Sequence, residues 1–445
     1  MNDQKAQPSY RKQFIYLTSL FFLWGFITVL VDSLIPRLRE VFTLSYFQAG
    51  LVQFAFFMAY FILSIPAGFL LARIGYKKGI VLGLGTMALG CLLFYPAASF
   101  RIFPVFMIGY FVLAGGMTIL QVAANPYVAA LGPEESASSR LNLSQAFNSL
   151  GTTLAPIAGA ILILSDNVMT KEEIAGLTNT ARDVYFEAEA SAVQLPFIFL
   201  AVFIVIMAII FATIKLPKLM SEVPVRDGYS QLLRNRSLMM GALGILVYVG
   251  AEVSIGSYLV NYFLDMKMDT AIRESPFFSS IAETLLNAEL TLKDNKAIVG
   301  AFVTFYWSGA MIGRFIGAYL TKVFKPSRVL SVFALGSITM ILVSMSTSGF
   351  VSMWAILSVG LFNSIMFPTI FTMALDGLQS ELKPQASGIL CTMIVGGALI
   401  PPAYGFFTDM VGFKTAFILV IVCYTYILSY GWYKSRRSKL QTMNN

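Results

Sequence analysis

Long apolar runs, separated for the most part by short polar connections, dominate this chain. A helix needs roughly 20 mostly apolar residues to cross a bilayer. By that measure about twelve runs qualify. Spans are predicted at 14–35, 47–72, 79–98, 103–131, 141–164 and 194–214 in the first half of the chain. The second half gives 238–263, 297–322, 327–346, 350–376, 386–408 and 413–434. Two connections are long, 165–193 and 264–296, and they lean acidic, with Asp166, Glu172, Glu173, Asp183, Glu187 and Glu189 in the first. The polar start MNDQKAQPSYRKQ leads into a run too long for a secretory leader, and no small-residue cleavage site follows, so the first run is read as a retained membrane helix.

The halves echo one another. GFLLARIGYKK (68–78) follows the second span and GAYLTKVFKPSR (317–328) the eighth; both carry a glycine, a small residue four places on, and then basic residues. QVAANP (121–126) in span four answers NSIMFP (363–368) in span ten, which sets Gln121 opposite Asn363 and Pro126 opposite Pro368. Pro156 in span five answers Pro401 and Pro402 in span eleven. The expected organisation is a six-helix bundle at 1–214, a linker at 215–237, and a second six-helix bundle with a basic tail at 238–445. Paired halves with corresponding interrupted helices point to a secondary transporter whose site lies where the halves meet.

Composition sharpens this picture. The 445 residues are 57% hydrophobic and 12% charged, with a mean hydropathy of +0.74. A soluble domain is nearer a quarter charged, so lipid must solvate much of the surface. The formal charge of +8 follows from topology rather than from nucleic-acid binding. Lys5, Arg11 and Lys12, Arg73, Lys77 and Lys78, the linker's Lys215, Lys218, Arg226, Arg234 and Arg236 against Glu222 and Asp227, and Lys434, Arg436, Arg437 and Lys439 all fall on one side of an even-numbered topology. The positive-inside rule then places both termini in the cytoplasm. Histidine is absent, and Cys91, Cys391 and Cys423 each sit in an apolar run. No metal site, disulfide framework, nucleophile–base pair or phosphate loop is legible, so neither an enzyme nor an ATP-driven pump is expected, and no cofactor.

The chemistry lies in the polar residues inside the spans, where each ionisable group is costly and a candidate for function. Trp24, Thr28 and Asp32 recur every four residues on one face, offering an aromatic plate, a hydroxyl and a carboxylate. Asp32 also lies near its helix end with Arg37 and Arg39 close by, so an interfacial ion pair is the rival reading. Thr118, Gln121 and Asn125 share a face of span four; Gln145, Asn148 and Thr152 share one of span five. At 1.5 Å per residue, Gln121 lies about 15 Å and Asn148 about 10 Å from the inner end of its helix, at similar depth. Amides donate and accept at once, which suits a hydroxyl-rich ligand; interhelical hydrogen bonding is the alternative. In span seven Tyr248, Glu252 and Gly256 share a face; Glu252 could hold a proton or face sodium. Asn363 with Phe367, and Trp307 at mid-depth, complete the second-half candidates. Arg140 sits at a helix end, whereas Arg314 is intramembrane and requires a partner that the sequence does not name. Pro126 and Pro368 should kink their helices, with Asn125 beside the first.

LQVAANPYVAALGP, RLNLSQAFNSLGTTLAP, YWSGAMIGRFIGA and GLFNSIMFPTIF resemble the fucose–galactose–glucose:proton symporter family of the major facilitator superfamily, on its glucose/galactose side. The resemblance implies an all-α integral membrane fold with twelve helices in two pseudo-repeats, a monomer in the bacterial inner (plasma) membrane, with no nucleic-acid partner. It also implies import of a neutral hexose by proton symport, with a protonatable aspartate at Asp32. Two departures stand out. Ala72 and Thr321 occupy loop positions where the superfamily usually has aspartate, and Gln121 stands where fucose-type members carry a glutamate. The expected roles are therefore coupling by Asp32 and Glu252, and sugar contact by Gln121, Asn148, Gln145, Asn363, Trp24 and Trp307. Asn125, Pro126 and Pro368 serve gating. N-acetylglucosamine or L-fucose transport, sodium-coupled or uncoupled uptake, and a membrane sugar sensor are the alternatives.

Overall fold

The computed structural model describes residues 10–41, 46–100, 102–163, 176–219 and 228–444. Lys5, Asp166, Glu172, Glu173, Glu222, Arg226 and Asp227 lie outside the described residues. So do the side chains of Asp32, Arg37, Arg39, Asp183, Glu187, Glu189 and Lys439. All regular structure among the described residues is helical. The first half forms α1 Arg11–Val41, α2 Tyr46–Phe100, α3 Phe103–Ala130, α4 Ala137–Ile163 and α5 Asn179–Thr213. The second half forms α6 Arg236–Asp265, α7 Asn295–Val323, α8 Pro326–Ser346, α9 Gly349–Asn363, α10 Met366–Leu375, α11 Lys383–Thr392, α12 Gly396–Val411 and α13 Phe413–Asn444.

Ten helical stretches among the described residues are long and apolar enough to cross a bilayer. One of them, Phe54–Phe100 at 47 residues, holds two of the expected spans. Its arms part at Gly75, whose φ of 78° lies in the left-handed region that a side chain disfavours. α4, bearing Asn142, Gln145 and Asn148, is helical without being among the ten. With the arms of α2 counted apart and α4 added, helices account for all twelve expected spans among the described residues. Span ten is α9 and α10, broken at Ser364 and Ile365; span eleven is α11 and α12, separated by a tight turn at Met393–Val395. The helix starts carry familiar signals. Asn235 accepts from the Leu238 amide at 3.1 Å ahead of α6, and Asp294 from the Ala297 amide at 2.7 Å ahead of α7. α5 leaves Leu195, Phe199, Val202, Ile206 and Ile209 exposed, as a helix solvated by lipid can. The acidic connection 264–296 carries short helices, Met268–Glu274 and Pro276–Leu286. Arg273 pins it, donating to the carbonyls of Leu290 at 2.7 Å and Lys293 at 2.9 Å.

The contacts divide the chain into two units that differ from its halves. The first holds Met1–Glu134, Phe147–Tyr229 and Gly377–Thr392; the second holds Glu135–Ala146, Ser230–Asp376 and Met393–Asn445. In the first unit, Ser387 of α11 donates to the Val122 carbonyl at 2.8 Å, and Gly68 of α2 meets α11 so closely that an added Cβ would lie 2.8 Å from the Pro384 oxygen. In the second unit, the start of α4 docks through hydroxyls and an amide. Ser138 and Thr372 share a hydrogen bond of 2.6 Å, Ser139 donates to the Ala318 carbonyl at 2.6 Å, and Asn142 donates to Thr369 at 3.1 Å.

Candidate functional site

In the second unit the candidates from three helices come together. Glu252 projects from α6 beside Tyr248, which is fully buried one turn earlier. Glu252 is the partner that the sequence did not name for Arg314 of α7, whose Nη2 lies 4.0 Å from Glu252 Oε1. That is an ion pair at its outer limit and too long for a hydrogen bond. The Nε of the same guanidinium donates to the Ser364 carbonyl at 3.2 Å. Gly313 explains how α7 comes so near span ten, since a Cβ there would lie 2.4 Å from the Leu361 carbonyl oxygen. Asn363 is wholly buried and donates its amide to the hydroxyl of Tyr306 at 2.7 Å and of Tyr424 at 3.4 Å; its Oδ1 is buried and has no partner among the described residues. Tyr306 in turn donates to the Glu252 carbonyl at 3.4 Å. Trp307 is half-exposed and lies across Gly256, where a Cβ would meet its ring at 2.9 Å, on the face that Glu252 shares. Gln145 is buried in the stretch of α4 that belongs to this unit. Arg140 donates to Ser136 at 2.6 Å, at the start of α4.

In the first unit Trp24 is buried against Phe21, ring centroids 5.6 Å apart. Thr28, one turn on, donates to the Trp24 carbonyl at 2.8 Å and lies 3.7 Å from the Met117 sulfur. Asp32 follows in α1; its side chain lies outside the described residues. Asn148 donates one amide N–H to the Phe21 carbonyl at 2.9 Å, a bond that holds α4 to α1. Gln121 is buried at 7% exposure, and among the described residues no hydrogen bond of its amide is found. Asn125 is deeper still, with both amide atoms buried and without a partner among the described residues. α3 runs unbroken through Pro126, whereas span ten is interrupted three residues before Pro368.

The residues that the sequence left unmarked are Tyr306, Tyr424 and Ser364. Tyr306, Ala310 and Arg314 recur every four residues, which was the available signal; nothing local singled out Tyr424 among 20 tyrosines.

What this arrangement offers is a hydrogen-bonding, partly aromatic set in each unit, with one acid–base pair in the second. Comparison with known proteins supplies its context. The model of the Major Facilitator Superfamily matches residues 14–393. A protein named glucose/galactose transporter from Brucella abortus biovar 1 (strain 9-941) is 46% identical over 96% of this chain and 95% of its own. The L-fucose-proton symporter of Escherichia coli K12 is 34% identical over 98% and 95%. The crystal structure of the transporter FucP in the outward conformation superposes with a TM-score of 0.84 at 33% identity, covering 96% of this chain and 99% of that one. With the superfamily model covering most of the sequence and a solved fold matching nearly all of it, the chain belongs to the major facilitator superfamily.

Proposed function

We propose that this transporter imports a neutral hexose, glucose or galactose foremost, by alternating access, with a proton as the coupling ion. The observation that carries the reading is the 46% identity, over nearly the whole of both chains, to a protein named glucose/galactose transporter. The geometry agrees with it. Gln121 offers an amide on a buried face, Asn148 and Asn363 each keep an amide oxygen, and Trp24 and Trp307 supply one ring to each unit. Gln145 joins this sugar-binding set, and Asn125, Pro126 and Pro368 shape the helices that carry it. Glu252 and Asp32 are the coupling acids. With an amide at Gln121, span four has no proton to exchange, so the load passes to these two. The two six-helix halves act as the moving parts of a monomer in the bacterial inner membrane, both termini in the cytoplasm.

Uptake by proteoliposomes tests this, with glucose, galactose, L-fucose and N-acetylglucosamine competing and with proton and sodium gradients imposed separately. Glucose and galactose should compete best, and an inward proton gradient should drive accumulation. Glu252→Gln and Asp32→Asn should abolish that accumulation while sugar counterflow persists. Accumulation that follows sodium alone, or ignores both gradients, would sink the proton assignment; binding without counterflow would make the protein a sensor.

A further inference from the structure

Pro126 and Pro368 each lack an N–H, so each leaves one carbonyl, four residues earlier, without its helical donor. The two freed oxygens are answered differently. In the first unit the Val122 carbonyl receives the Ser387 hydroxyl at 2.8 Å. In the second unit the Ser364 carbonyl receives the Nε of Arg314 at 3.2 Å. One donor is neutral and the other is a permanent cation. That cation also faces an acid, since its Nη2 stands 4.0 Å from Glu252 Oε1, and both side chains are largely buried at 16% and 14% exposure. Charges so withdrawn from water act strongly on each other.

We propose that Arg314 is a positioning residue that ties the charge on Glu252 to the break in span ten. The same guanidinium reaches both the Ser364 carbonyl and the Glu252 carboxylate. Protonating Glu252 removes its pull and leaves the guanidinium on Ser364; losing that proton draws it back toward Glu252. This rests on Glu252 being a coupling acid. The other titratable groups facing the carboxyl are Tyr248 on its own helix, Tyr306 from α7 and Tyr424 from α13, all uncharged at neutral pH. α10 carries no titratable residue, and Tyr404 and Asp409 of α12 lie by Tyr258 instead. Among these groups Arg314 alone brings a positive charge.

Pro368→Ala is the informative variant, because it restores an N–H for the Ser364 carbonyl and releases Arg314 to Glu252. A closer cation favours the carboxylate and lowers its pKa, so the pH midpoint of sugar uptake should move to lower pH, by about half a unit or more. An arginine with a purely structural role would leave that midpoint in place. Arg314→Gln should lower the melting temperature of the purified protein, and lower it less in a Pro368→Ala background. If Arg314→Gln does not fold, Arg314→Lys keeps the charge but lacks the Nε donor. It should keep the pH response and show the same rescue by Pro368→Ala. An unmoved midpoint together with additive melting effects would overturn the proposal. If Glu252→Gln retains proton-driven accumulation, the coupling role of Glu252 fails instead. The melting cycles of Arg314 with Pro368 and with Glu252 then decide the positioning role separately: non-additive effects in both support it, and additive effects in either refute it.

Discussion

Gln121 and Asn148 carry the same functional group at similar depth, yet the first unit employs them differently. One Asn148 amide N–H is spent on the Phe21 carbonyl at 2.9 Å, while among the described residues no such bond is found for Gln121. A hydrogen bond contributes about 1 kcal/mol net, and more when its loss strands a buried partner. Gln121→Ala should therefore weaken sugar binding by about tenfold, on the order of 1.4 kcal/mol, and leave the melting temperature of the detergent-purified protein nearly unchanged. Asn148→Ala should lower the melting temperature as well, because it removes a tie between α1 and α4. Calorimetric titration with glucose alongside thermal unfolding separates the cases. Equal destabilisation by both variants would mean that Gln121 is also spent within the protein.

A proline inside an oily helix is legible in the sequence, but its consequence is not. Pro126 leaves α3 unbroken and Pro368 sits just after a break, and what answers each freed carbonyl comes from far along the chain. Ser387 lies 265 residues from Val122, and Arg314 lies 50 from Ser364. The twelve spans and the repeat were readable because hydropathy and spacing are local properties. Glu252, Asn363 and Arg314 stood out because polar groups are costly in such helices. Tyr306 and Tyr424 were hidden by the abundance of aromatics, and their roles follow from tertiary contacts with Asn363. Close helix approach is similarly half legible. A Cβ on Gly25 of α1 would lie 2.3 Å from the Asn148 carbonyl oxygen, backbone against backbone, whereas among the described residues nothing lies within 4 Å of one on Gly85 of α2. Gly25→Ala should force α1 and α4 apart and sharply reduce the monodisperse yield in size-exclusion chromatography. Gly85→Ala should be neutral or gain up to about 1 kcal/mol in helix stability. Similar yields for the two variants would show that the α1–α4 contact can slide.

At the scale of the molecule, two stretches stand with helices from the opposite half of the sequence. Residues 135–146 belong with the second unit and 377–392 with the first. The bonds that hold them are short and mostly uncharged: Ser138 with Thr372 at 2.6 Å, Ser139 on Ala318 at 2.6 Å, and Ser387 on Val122 at 2.8 Å. The exposed pair of Lys383 and Glu134, 3.5 Å apart, adds little, since surface ion pairs contribute at most about 1 kcal/mol. Ala72 and Thr321, where an aspartate was absent, fit the same economy. Ala72 is buried, and Thr321 is buried with its hydroxyl on the Gly317 carbonyl of its own helix at 2.6 Å. Neutral hydrogen bonds of about 1 kcal/mol each can form and break without stranding a charge, as the proposed alternating access would require of any contact that opens during transport. A cysteine pair at Ser138 and Thr372 tests this directly. Their hydroxyl oxygens lie 2.6 Å apart, so the two side chains already meet where sulfurs roughly 2 Å apart would stand in a disulfide, and the native thiols are all buried. Oxidation of Ser138→Cys/Thr372→Cys should stop sugar counterflow, and a reductant should restore it, while either single variant transports throughout. Counterflow that continues in the crosslinked protein would mean that these bonds persist through the cycle, and the alternation would have to be sought elsewhere in the fold.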